Sequence, residues 1–281
     1  MRLLAGVLLG AAAAMLGWIA TRGIFSAPLF ARQNYRMATV PVGAGVLLAV
    51  AVVAADAVFV VVDSIDGGSS VRAAPMSLVL LAVLGFSLLG LLDDLGAIGD
   101  DRGFGGHLRA LASGRLTTGG LKLVGGGLLA LVVSGSARAD GVGPLLVDGL
   151  LIALAANVGN LFDRAPGRTI KVGVIAMAAV LLTAGTAERT ALTGVAVVLG
   201  AAIGLLVWDL REELMLGDAG SNVIGATVGL GVVLTCGLMT RLAVLAVVVA
   251  LNVASERVSF SRVIDSAAPL RFVDRLGRRT R

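Results

Sequence analysis

Residues 74–94 read APMSLVLLAVLGFSLLGLLDD: nineteen residues without a charge, then two adjacent aspartates. A helical run of about 20 apolar residues crosses the roughly 30 Å hydrocarbon core of a bilayer. Charge at that boundary is tolerated only where water, a cation or a protein partner meets it. Asp93 and Asp94 therefore mark the end of a membrane span and a place where chemistry can begin.

The same pattern recurs along the chain. Apolar runs of spanning length lie at about 3–21, 40–62, 74–92, 119–134, 144–161, 170–186, 190–208, 219–237 and 240–255. The fourth and fifth are diluted by glycine and by Asp148. The chain of 281 residues is 57% hydrophobic and 15% charged, which excludes an ordinary soluble globular protein. The expected fold is an all-α, polytopic transmembrane helix bundle of about nine spans. Thirty-nine glycines suit close helix–helix approach in lipid. The first run follows a lone Arg2 and ends at Thr21-Arg22 without a small-residue cleavage site, so it reads as a retained span. Cys236 sits alone inside a span, and a disulfide framework is excluded. The sequence shows no short internal repeat and no inverted-repeat signature of a transporter.

Lysine and arginine fix the orientation. Loops after spans 1, 3, 5 and 7, together with the C-terminus, carry 18 of the 23 basic residues; the other side carries Arg2, Arg72, Arg138, Arg189 and Arg241. The positive-inside rule then places Asp93, Asp163 and Asp218 in the cytoplasm, at a multi-pass inner (cytoplasmic) membrane. One transmembrane domain, 1–255, is expected, with cytoplasmic loops at about 22–39, 93–118, 162–169 and 209–218. Residues 256–281 form a basic cytoplasmic tail with seven arginines and three acids. The tail reads as a solvated segment drawn to anionic headgroups, or as a source of arginines for a substrate. No nucleic-acid partner is expected, and a homodimer stays open.

Three further stretches carry polar groups into apolar surroundings. In TTGGLKLVGG, Lys122 lies just inside span 4, where it either snorkels or binds a buried anion. In NVGNLFDRAPGR (Asn157–Arg168), Asn157, Asn160 and Asp163 fall three apart on one helix face. Pro166-Gly167 then breaks the helix, with Arg168 and Lys171 beyond. Amide and carboxylate oxygens in a row suit Mg²⁺, which keeps waters and takes substrate phosphate as well. In ELMLGDAGSNVIGATVG (Glu213–Gly229), glycines flank Asp218 at a helix start, and Ser221 is placed to cap it. Backbone N–H groups there can approach a phosphate while the carboxylate holds a cation. The only histidine, His107, reads as a solvated loop residue.

DD after span 3, Lys at span 4, NxxNLxD at span 5 and MLGDAGS before span 8, in that order and on one side, resemble the polyprenyl-phosphate N-acetylhexosamine-1-phosphate transferase superfamily (glycosyltransferase family 4). NYRMATVPVGAG (Asn34–Gly45) resembles the family's Pro- and Gly-rich approach to span 2. The resemblance covers nearly the whole chain. It implies a bundle of about ten spans and transfer of a sugar-1-phosphate from a UDP-sugar to polyprenyl phosphate, with release of UMP, in cell-envelope glycan synthesis.

Mg²⁺ or Mn²⁺ would be the cofactor, and the partners would be polyprenyl phosphate, a UDP-sugar and the bilayer. Carried over by position, Asp93, Asp94 and Asp163 would be catalytic. Lys122, Arg168 and Asn157 would bind substrate phosphate, and Asp218 with Asn160 would bind the metal. Pro166 stands where relatives carry a second acid, and the histidine-rich motif of the last cytoplasmic loop is missing. An arginine at 168 would then meet donor phosphate or a sugar carboxylate. The alternative is a non-catalytic scaffold that binds polyprenyl phosphate.

Overall fold

The computed structural model describes residues 1–65, 74–96, 113–114, 117–138, 140–186 and 188–279. His107 lies outside them, as does most of the loop that follows Gly96. Each of the nine apolar runs forms a helix: α1 (Arg2–Phe25), α2 (Val46–Ile65), α3 (Ala74–Gly96), α4 (Thr118–Ala137), α5 (Val142–Phe162), α6 (Arg168–Thr183), α7 (Thr193–Leu210), α8 (Asp218–Thr235) and α9 (Leu238–Ser255). Among the described residues, eight helices are long and apolar enough to cross a membrane; α6, with 16 residues, is the shorter ninth. The protein is an all-α, multi-pass membrane bundle.

The bundle is built around α8, 78% of whose spanning window is buried. It packs against α3, α5 and α6, while α1 lies along α7 and α2 fills the groove between them. Lipid gives no hydrophobic drive between helices, so close backbone contact must hold them. A β-carbon on Gly90 of α3 would stand 2.3 Å from the carbonyl of Asp218. Only glycine allows α3 to approach the first turn of α8 that closely.

The outermost helix is held differently. Only 6% of the window of α9 is buried, and it leans on α5 alone among the long helices with substantial contact. Polar clamps attach both its ends. Arg241 pairs with Asp148 in the interior, and Asn252 Oδ1 accepts from Asn157 Nδ2 at 2.6 Å while its Nδ2 donates to the Leu154 carbonyl at 3.2 Å. Interhelical hydrogen bonds in membranes contribute about 0.6 kcal/mol on average, so several are needed to seat a helix that buries so little.

Two features depart from the sequence reading. Residues 40–45 do not begin span 2. They belong to a small antiparallel ribbon, β1 (Ala31–Gln33) with β2 (Thr39–Pro41), in which Arg32 faces Val40, followed by a turn. The backbone around this turn pairs with the α7–α8 linker: Met215 N–H donates to Pro41 O at 2.8 Å, and Gly45 N–H to Leu216 O at 3.0 Å. The C-terminal segment is also not simply solvated. It forms α10 (Phe260–Ser266) and α11 (Ala268–Arg275), which fold back onto the α5–α6 loop.

Counting nine crossings puts the ends of α3, α5 and α7 and the starts of α4, α6 and α8 on one side, with α10 and α11. Cysteines at Ser113 and Ser266 in a Cys236→Ser background should therefore resist an impermeant maleimide in intact cells and react once the membrane is opened. Labelling of both in intact cells would reverse the orientation.

Candidate functional site

The site forms where α3 ends and α8 begins. Gly217, the residue before α8, adopts φ 65°, a conformation that favours glycine. A β-carbon there would meet Asp94 Oδ2 at 2.4 Å. The missing side chain lets the Asp94 carboxylate reach the helix start, where Oδ1 accepts from Asp218 N–H at 2.8 Å and Oδ2 from Ala219 N–H at 3.0 Å. The first N–H groups of any helix lack intrahelical partners and carry partial positive charge. Asp94 supplies the cap from another helix, and the pairing is charge-assisted. Ser221, expected to cap α8, does not: it lies inside the first turns, with its hydroxyl buried and unpaired.

Asp94 in turn aims its neighbours. Its carbonyl accepts from Arg32 of the ribbon at 3.1 Å, tying α3 to β1. Asp218, the first residue of α8, receives the Lys122 ammonium on Oδ2, and Asn160 Nδ2 reaches the same oxygen at 3.3 Å. Lys122 therefore neither snorkels nor lies apart; it comes from α4 to pair with the Asp218 carboxylate. Asp93 also interacts directly with Asp218. Asn222, one turn along α8, donates to the Asp218 carbonyl at 2.7 Å. Asp93, Asp94, Lys122, Asn160 and Asp218 thus converge, from helices far apart in sequence.

Asp163 follows α5 and faces the same cluster. Desolvation raises its pKa well above the ordinary carboxylate range, and the charges of Asp209, Asp218 and Asp94 raise it further, against a hydrogen bond from Thr169. Asp209 was not singled out in the sequence. Buried at the end of α7, it accepts the Gly167 N–H at 2.9 Å and fixes the turn that follows Asp163. Its place in VWDLREE, at the end of an apolar run on the same side as the other acids, was the available signal.

A family model, glycosyl transferase family 4, matches residues 76–237. The chain belongs to glycosyl transferase family 4. That family transfers phospho-sugars onto polyprenyl phosphate, and the matched residues run from the start of α3 to just beyond α8. Every member of the convergent cluster falls within them. No curated protein matches the chain.

Two expected phosphate ligands of this family-4 chain have other partners. Asn157 turns away from Asp218 and pairs with Asn252 of α9. The three-residue step that placed it beside Asn160 leaves it about 60° round the helix, enough to change neighbours. Arg168 is 4% exposed, and its Nε and Nη2 grip Asp274 at 2.7 and 3.1 Å while Nη1 donates to Ser261 at 2.8 Å. Its charge is met inside the chain.

The raised pKa of Asp163 gives a prediction with a definite sign. A carboxyl whose folded pKa lies above its unfolded value of about 3.9 costs stability progressively as pH rises through the interval between the two. Asp163→Asn removes that cost. Its thermal midpoint should equal or exceed that of the native chain at neutral pH, with the gap shrinking towards pH 4. A lower midpoint at neutral pH would show that the charged carboxylate stabilises the fold.

Proposed function

We propose that this chain transfers a sugar-1-phosphate from a UDP-sugar to a polyprenyl phosphate, undecaprenyl or decaprenyl, at the cytoplasmic face of the inner membrane. The product would serve cell-envelope glycan synthesis. The observation that carries the reading is the meeting of Asp218, Lys122, Asn160 and Asp93 at the start of α8, where one end of the bundle offers both anionic oxygens and an ammonium. A polyprenyl tail stays in lipid while its headgroup reaches this end, and a nucleotide approaches from water.

An oxygen of the lipid phosphate attacks the donor's β-phosphorus. The bond from that phosphorus to the bridging oxygen breaks, and UMP departs with the electron pair. The lipid phosphate's second pKa near 6 leaves it largely ionised at neutral pH, so little base strength is asked of the protein. Asp93 is placed to orient that phosphate. Asp94 works from behind, holding the helix end on which Asp218 sits. Lys122 balances phosphate charge, and Asp163 lies across the cluster towards the donor. Fixing geometry and balancing charge are the main tasks in such transfers.

The residues fit Mg²⁺ or Mn²⁺. Asp218 Oδ2 already faces one cation, the Lys122 ammonium, and the donor set is made of carboxylate and amide oxygens. Among the described residues no group of three His, Cys, Asp or Glu gathers tightly enough to enclose an ion. Mg²⁺ suits such a set, because it binds through one or two carboxylates, waters and substrate phosphates. Asp218 and the side-chain amide oxygen of Asn160 would hold it. When bound, the ion neutralises charge on the pyrophosphate and the leaving nucleotide.

Incubating the purified chain with polyprenyl phosphate, Mg²⁺ and a panel of UDP-sugars should release UMP from at least one donor. Asp218→Asn should remain folded yet lose turnover at limiting Mg²⁺, because a neutral amide oxygen is a poorer ligand for a hard dication. Unchanged UMP release by this variant would remove Asp218 from the metal site. The capture of Arg168 by Asp274 favours a second reading, a non-catalytic protein that binds polyprenyl phosphate. Lipid binding without UMP release from any donor would establish it.

A further inference from the structure

The segment after α9 meets the junction of α5 and α6 at four places. Phe260 at the start of α10 stacks on Phe162, the residue before Asp163, with ring centroids 5.3 Å apart. Asp274 of α11 takes both the Nε and Nη2 of Arg168. Arg278 donates its Nε to the Pro166 carbonyl at 3.0 Å and its Nη2 to Asp274 at 2.6 Å. Lys171 spends its ammonium on the carbonyls of Val273, Asp274 and Leu276, at 3.0, 2.7 and 2.7 Å, where a cation suits the C-terminal end of α11.

These contacts leave little for a ligand. Arg168 has three of its nitrogens committed, and Lys171 has three acceptors for its three protons. Asp274 is 6% exposed. Burial alone would raise its pKa, but the hydrogen bond from Arg168, then the charges of Arg278, Arg168 and Lys171, bring it below the usual carboxylate value. A cluster saturated in this way holds shape; it does not bind substrate.

The shape it holds is that of the Asp163–Gly167 loop. Gly167 is pinned to Asp209 on the inner side, and Arg168 to Asp274 on the outer side. Thr169, next in sequence, keeps its hydroxyl 3.3 Å from the Gly159 carbonyl and within reach of Asp163. Asp163 N–H donates to the Asn160 carbonyl at 3.0 Å and Arg164 N–H to the Phe162 carbonyl at 2.8 Å, so the loop leaves α5 in a tight turn that the contacts at Gly167 and Arg168 close on its far side.

We propose that residues 256–279 form a strap that holds the Asp163–Gly167 loop against the site, with Asp274 as a positioning residue for Asp163. The kinetic arm of the test below rests on the transferase reading; the labelling arm does not. The strap lies beyond the residues matched by the family model, which end at 237.

The test uses the full-length chain with Cys236→Ser and a reporter cysteine, Ala165→Cys. Maleimide labelling of that cysteine should run about tenfold faster or more with Asp274→Ala, because breaking one side of a buried ion pair frees the segment it fixes. Asp274→Asn keeps the side chain's size and removes only the charge, so it serves if the alanine variant does not fold. Identical labelling rates in the native and Asp274→Asn backgrounds would overturn the strap.

For turnover, Asp274→Asn should raise the donor KM several-fold while the lipid KM stays within about twofold, since the transferase reading puts this loop on the donor side. Equal changes in both constants would reduce Asp274 to general support of the fold and overturn its positioning role. If the native chain releases no UMP from any donor, the transferase reading fails, and the labelling rates still decide the strap.

Discussion

The carboxylate of Asp94 on the first two N–H groups of α8 is the contact through which the rest of the site is arranged. It brings together two demands that conflict in a membrane. The start of a helix exposes N–H donors that lipid cannot satisfy, and an aspartate at a bilayer boundary needs a partner of opposite polarity. Each group answers the other, with a capping contribution of about 1 kcal/mol beyond the desolvation it avoids. Gly217 makes the approach feasible by having no side chain where Asp94 must sit, and Gly90 lets α3 come within reach. The ribbon then ties the linker before α8 and the end of α3 to one another, through Met215 and Arg32. Asp218 is presented to Lys122 and Asn160 as a consequence of that assembly.

The arrangement divides the acids by role. Asp94 has both oxygens committed to backbone donors and serves as architecture. Asp218 takes the ammonium of Lys122. Asp163 carries the electrostatic strain, as a desolvated carboxyl among like charges. Placing such a group beside the Asp218 cluster costs stability, and the surrounding contacts through Gly167, Thr169 and Arg168 offset it.

Much of this was legible in the sequence, for a physical reason. Spans announce themselves by length and polarity, so all nine helices could be placed, although the second begins at Val46 and not at 40. The acids that matter stand at span ends, where lipid makes any charge conspicuous. Pairing between distant segments was not legible. Asn157 shares a face with Asn160 by spacing, yet α9 sits on the side to which it points, and nothing local to NVGNLFD reveals that neighbour. Ser221 had the residue type of a cap, but the cap came from 124 residues away. Arg168 and Asp274 are separated by 106 residues, and the tail's arginines concealed the one buried acid among them. Asp209 was passed over because a lone acid after an apolar run resembles an ordinary solvated helix end.

Amide hydrogen exchange at Asp218 and Ala219 is the most direct measure of the central contact. In the native chain these two N–H groups, which an uncapped helix would leave open, should be protected. In Asp94→Ala they should exchange about tenfold faster, the equivalent of losing roughly 1.4 kcal/mol of local stability, while amides in the middle of α8 stay protected. Equal exchange at both amides in the two proteins would contradict the account and leave the position of Asp218 without its cause.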